Sequence, residues 1–113
     1  MMSQNKRNDT MIIRSWKGAT KRSDAEKYYE YLLETGVKEY QDTEGNQGVF
    51  VLRRDVGDKT EFLLLSLWDS IGSIRSFAGS EPEKAVFYPE DEKYLIEFDE
   101  EVTHLDVLYS SKK

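Results

Sequence analysis

Apolar and polar positions along the chain switch between the two-residue period of a strand and the longer period of a helix. Residues 11–16 (MIIRSW) mix β-branched and aromatic side chains and stop before Gly18, which predicts a first strand. Ala25, Tyr28, Tyr29, Leu32 and Leu33 then fall on one helical face, opened by the capping box Ser23-Asp24-Ala25-Glu26 and stopped at Gly36. A turn-rich stretch at 42–48 leads to strands at 49–54 and 60–68, joined through Val56-Gly57-Asp58-Lys59 as a hairpin. Asp69 is placed to cap a short helix carrying Ile71, Ile74, Phe77 and Ala78, ended by Gly79, and Ser80-Glu81-Pro82-Glu83 reads as a second capping box opening a further turn or two. Residues 102–109 alternate enough to form a last strand. The order is that of an α+β, ferredoxin-like βαββαβ fold with a four-stranded antiparallel sheet. It occupies 11–109, between a polar leader at 1–10 and a tail at 110–113.

Two of the strands break the alternation expected of a sheet with one wet face. Val49, Phe50, Val51 and Leu52 are consecutive apolar residues, and in Phe62 to Trp68 only Ser66 is polar. Both faces therefore call for burial. Leaving Leu63, Leu65 and Leu67 on an open face would expose more contiguous apolar surface than a soluble monomer usually carries. Sheet-to-sheet homodimerisation, most simply with two-fold symmetry, is the expected solution.

Composition narrows the chemistry. The 113 residues fit one domain, and 12% aromatic content is far too rich for a disordered polyampholyte. The net charge is −6, and between Glu81 and Glu101 nine acidic residues face two lysines, so nucleic acid and anionic lipid are unsuitable partners. That acidic run is expected to be a solvated face. The absence of cysteine excludes disulfides, thiolate catalysis and cysteine-ligated metals, and a single histidine makes a protein-built transition-metal site improbable. No segment has the apolar length of a signal peptide or membrane span, which leaves a cytoplasmic location as the default.

With this order in place, the chain resembles the antibiotic biosynthesis monooxygenase-like domains of the dimeric α/β-barrel superfamily and their heme-degrading relatives. The motifs that carry the likeness are Ser66-Leu67-Trp68-Asp69-Ser70 at the end of the third strand, then Ile74-Arg75-Ser76-Phe77-Ala78-Gly79, and the closing Val102-Thr103-His104-Leu105-Asp106-Val107. The resemblance implies a homodimer through the sheet face, and in each protomer a cavity between sheet and helices with Trp68 on its wall. It further implies a small hydrophobic or aromatic ligand there, and a quinol-like molecule oxidised by dioxygen without metal or organic cofactor. Two other readings stand beside it: a non-catalytic dimeric module that binds a small hydrophobe or serves only for assembly, and a heme-binding or heme-degrading relative. The heme-degrading branch uses an axial histidine on the later helix and an asparagine near the first strand. Here Phe87 and Tyr88 stand in the later region and Ser15 near the first strand, so the chain departs from that pattern.

The candidate catalytic residues are His104, as proton acceptor, and Trp68. His104, Asp106 and Leu108 share a strand face by parity, and an aspartate two residues along suits a catalytic imidazole. The commoner fate of a lone histidine beside acidic residues is a hydrogen-bonded strand position. Ser66, Tyr28, Tyr29, Phe77 and Tyr88 are the candidate substrate-binding residues, and Trp68 is equally at home as a core residue. Arg14, of opposite parity to Ile13, is expected at the surface paired with an acidic residue, with an anionic substrate as the alternative. Gly45-Asn46-Gln47-Gly48 has neither the glycine spacing nor the following helix of a phosphate loop, and reads as turn chemistry.

Overall fold

The structure, a computed structural model, describes residues 10–111. Most of the segment read as a leader, and the last two residues of the tail, lie outside the described residues. Ten residues of β1 (Ile12–Lys21) enter the sheet, and two helices follow, α1 (Ala25–Glu34) and α2 (Gly36–Asp42). The hairpin of β2 (Asn46–Val56) and β3 (Lys59–Trp68) comes next. It turns through Gly57, whose φ of 64° suits a two-residue turn. After α3 (Ile71–Ala78) an irregular segment runs to the single-turn α4 (Asp91–Tyr94), then β4 (Leu95–Phe98) and β5 (Thr103–Asp106).

All pairings are antiparallel, in the order β2-β3-β1-β4, with β5 also on β1. β4 pairs with Gly18–Thr20 and β5 with Ile12–Ser15, so two short strands share one lane along the same edge of β1. This is the ferredoxin-like order with a divided fourth strand. The expected fold class holds, while several local expectations are corrected. β1 runs straight through Gly18 instead of stopping there. A Cβ at Gly18 would collide with the Trp16 indole, so glycine is there to let that ring lie across the strand. Gly36 opens a second helix, α2, which buries Val37 and Tyr40. α3 is capped by Ser70, whose Oγ accepts from the Ser73 N–H at 3.1 Å, and not by Asp69, whose carboxylate accepts from the Ser70 and Ser73 hydroxyls. No helix starts at Ser80-Glu81-Pro82-Glu83. β4 lies inside the acidic run.

Side chains of even number on β1 and β3 face the helices. Trp16, Phe62, Leu64 and Trp68 there meet Tyr28, Leu32, Tyr40 and Ile74 to form the core. Tyr28 packs edge-on against Phe62 at 5.0 Å, and Tyr40 against Phe77 at 4.6 Å, distances typical of favourable aromatic pairs. The opposite face carries Ile13, Phe50, Leu52, Leu63, Leu65, Leu67 and Leu105 in one register. Phe50 is 60% exposed and Leu105 52%. Among the described residues no helix is long and apolar enough to cross a membrane.

Candidate active site

Between the sheet and the helices lies a cavity of about 30 Å³, room for one or two water molecules. Arg14 and Trp16 of β1 and Leu64 of β3 form its floor, Tyr28 and Tyr40 its helical side, and Phe77, Tyr88 and Asp91 its rim. β1 supplies two floor residues because 14 and 16 share the helix-facing parity. The Trp16 indole is fixed by donating Nε1–H to the Asp99 carbonyl at 2.8 Å.

Arg14 is the unexpected member. It is 1% exposed, so the surface ion pair expected from the sequence is not formed. Its guanidinium donates to the Pro82 carbonyl, to the Lys84 carbonyl at 3.1 Å, and through Nη1 to His104 Nε2 at 3.2 Å. Phe77 lies under it at 5.6 Å. Those acceptors are all neutral. A buried cation is normally paired, yet among the described residues no carboxylate forms an ion pair with Arg14, and its Nε is the one buried side-chain nitrogen or oxygen without a hydrogen-bond partner.

Asp91 also lines the cavity. It is the buried exception in the acidic run, 7% exposed, and its carboxylate accepts the Tyr88 N–H at 2.7 Å. Burial pushes its proton affinity up, and the Tyr88 N–H opposes this only in part. Burial also raises the Tyr28, Tyr40 and Tyr88 hydroxyls, so these stay neutral donors, with Arg14 and Ser66 pulling Tyr40 the other way. The cavity is thus an aromatic box whose lining includes both a buried cation and a proton-binding carboxyl.

Of the residues singled out in the sequence, Tyr28, Phe77 and Tyr88 line this cavity. Trp68 stands one layer behind it, fully buried, 5.8 Å from Tyr40 and 6.1 Å from Phe77, and donates Nε1–H to Ser66 Oγ at 2.8 Å. Ser66 is therefore turned toward Trp68. Tyr29 lies under the Arg53 guanidinium at 5.7 Å, away from the box. His104 is half-buried beside Arg14 and off the cavity wall. Burial and the adjacent Arg14 charge lower its proton affinity, against a smaller pull from Glu83. Ser15, read as the first-strand site position, faces the other side of the sheet, and Arg14 takes the inward place. Among the described residues no three metal-ligating carboxyl or imidazole side chains gather.

Arg14, Trp16, Tyr40 and Asp91 escaped selection as site residues. Parity could have placed Arg14 inward with Trp16, whereas nothing in the sequence separates Asp91 from its exposed acidic neighbours.

Solved structures share this fold at low identity. A protein of Bacillus cereus assigned to the antibiotic biosynthesis monooxygenases matches with a TM-score of 0.66 at 18% identity, over 92% of this chain and 99% of its own. A heme-degrading protein of Mycobacterium tuberculosis matches with a TM-score of 0.55 at 14% identity, over 91% and 98% of the two chains. The ActVA-Orf6 monooxygenase of Streptomyces coelicolor, solved with nanaomycin D, matches with a TM-score of 0.56 at 11% identity, over 98% of each. No curated protein matches the chain. The family profile for antibiotic biosynthesis monooxygenases matches residues 19–87, well over half of the sequence. With that match across the hairpin and the helices that enclose the cavity, the chain belongs to the antibiotic biosynthesis monooxygenase family.

Proposed function

We propose that the protein is a homodimer, joined through the open sheet face, that binds a small planar aromatic of quinol type between sheet and helices and promotes its oxidation by dioxygen without metal or organic cofactor. The observation that carries this reading is the aromatic box with Asp91 on its rim. A carboxylate whose proton affinity burial has raised is a stronger base than one in water. In this reading Asp91 takes the proton of a phenolic hydroxyl, leaving an electron-rich anion that dioxygen can oxidise. Tyr28 and Tyr40 hold the ring and exclude water. Trp68 acts from behind by fixing Tyr40 and Phe77. His104, with Nε2 already accepting from Arg14, serves to orient that guanidinium.

Pockets for drug-sized ligands measure some hundreds of Å³, so the binding form is one in which residues 79–90, which have no helix or strand of their own, lift from the cavity. The homodimer is supported by the apolar open face, where Phe50, Leu52 and Leu105 stand exposed in register with the central leucines of β3.

The test is oxygen uptake by chelator-treated protein with a panel of quinols and polyphenols, corrected for heat-denatured protein. Asp91→Asn, which keeps an acceptor for the Tyr88 N–H, is expected to lower the rate by about 100-fold or more, the usual contribution of a general base. No uptake above the denatured control would contradict the reading. A second reading, a non-catalytic binding module, is favoured by the small volume of the cavity and would show as ligand binding without uptake. The heme reading lacks an axial ligand in the later helix, and the one histidine of the sequence is engaged with Arg14.

A further inference from the structure

Arg14 carries more charge than the protein uses. Its three acceptors are two backbone carbonyls and a neutral imidazole, it has 1% exposure, and its Nε–H goes unpaired in a side chain that lines the cavity. Purely structural strapping of Pro82 and Lys84 to β1 would need only neutral donors. A buried guanidinium is costly without a counterion, and a preformed buried donor without an acceptor is the imprint of a missing anionic partner. Nothing in the sheet supplies that partner, since Arg14 is flanked in register by Ser66 on β3 and His104 on β5.

We propose that the ligand of this cavity is an aromatic acid, whose carboxylate accepts from Arg14 Nε while its ring lies among Tyr28, Tyr40 and Phe77. The inference rests on the cavity reading above and adds the ligand's charge. Tyr40, whose hydroxyl interacts with Arg14 and Ser66, lines the same cavity. Asp91 lines the same cavity and its own charge disfavours a second carboxylate beside it, so the acid is a monoacid, with its carboxylate on Arg14 of β1.

The test compares 2-naphthoate with its neutral counterpart 2-naphthalenemethanol by isothermal titration calorimetry on the full chain at pH 7. A charge-assisted contact in a buried site predicts a preference for the acid of about 10- to 100-fold. Arg14→Gln is expected to erase that preference, bringing the affinities for the two compounds within about threefold of each other. Raising NaCl from about 50 to 300 mM separates a buried contact from capture by surface lysines even if the variant fails to fold, because exposed pairs are screened and buried ones much less so. A preference that persists in salt supports the proposal. Equal affinity for both compounds overturns it and leaves the cavity reading standing. A preference that vanishes in salt, or survives in Arg14→Gln, also overturns it, and binding of neither compound overturns both.

Discussion

The open sheet face is the feature most easily broken without touching the core. Phe50 projects from β2 beside Leu65, 60% exposed, and has no role inside the protomer. Of the roughly 200 Å² of a phenylalanine side chain, about 120 Å² therefore awaits cover, and at about 25 cal/mol per Å² its burial is worth about 3 kcal/mol. In a two-fold dimer each substitution acts twice, giving about 6 kcal/mol or four orders of magnitude in the dissociation constant. Phe50→Glu adds the cost of desolvating a carboxylate, so this is a lower bound. Sedimentation velocity over a dilution series down from about 20 µM should show the native protein at twice 13.2 kDa and Phe50→Glu as a folded monomer at concentrations where the native protein stays dimeric. A native protein that sediments as a monomer, or a variant that stays dimeric, would refute the assignment of this face.

Three further outcomes follow from particular contacts. Gly45 has a φ of 98°, and a Cβ there would strike Ser73 Oγ and Asp69, so Gly45→Ala should cost at least about 2 kcal/mol, roughly 10 °C in Tm by calorimetry; an unchanged Tm would show that the β2 start and α3 are not locked together. Ser66→Ala strands the buried Trp68 N–H and should lose about 1–3 kcal/mol in urea unfolding. His104 starts from an ordinary value of 6.5, lowered in the folded state, so the unfolded chain gains the proton first and stability falls as pH drops through and below that range. His104→Gln should flatten that part of the Tm profile between pH 5 and 7, and parallel profiles would contradict the lowering of the His104 proton affinity by burial and by Arg14.

The sheet order was readable because the apolar residues of the hairpin and the Gly57 turn specify one register, and the fold class follows from it. The errors have physical causes. Gly18 looked like a stop because its role, making room for Trp16, depends on a ring folding back across the same strand. Gly36 looked like an end because a helix break and a helix start share the same residue. β4 was hidden because Leu95 and Phe98 alternate poorly and the register slips between Ala19 and Thr20. At the site, the tyrosines of the first helical face and Phe77 were legible from periodicity. Arg14 shared the inward parity of Trp16 but was placed outside as a charged residue by default, since the cover from Pro82 and Lys84 is tertiary, and nothing local marked Asp91 as buried.

The most direct test of the central claim is a crystal structure of the protein grown with 2-naphthoate. The account predicts the ring between Tyr28, Tyr40 and Phe77, the carboxylate on Arg14 Nε, and residues 79–90 lifted from their present position. An unchanged, filled cavity, with the compound absent or lodged elsewhere on the surface, would contradict it.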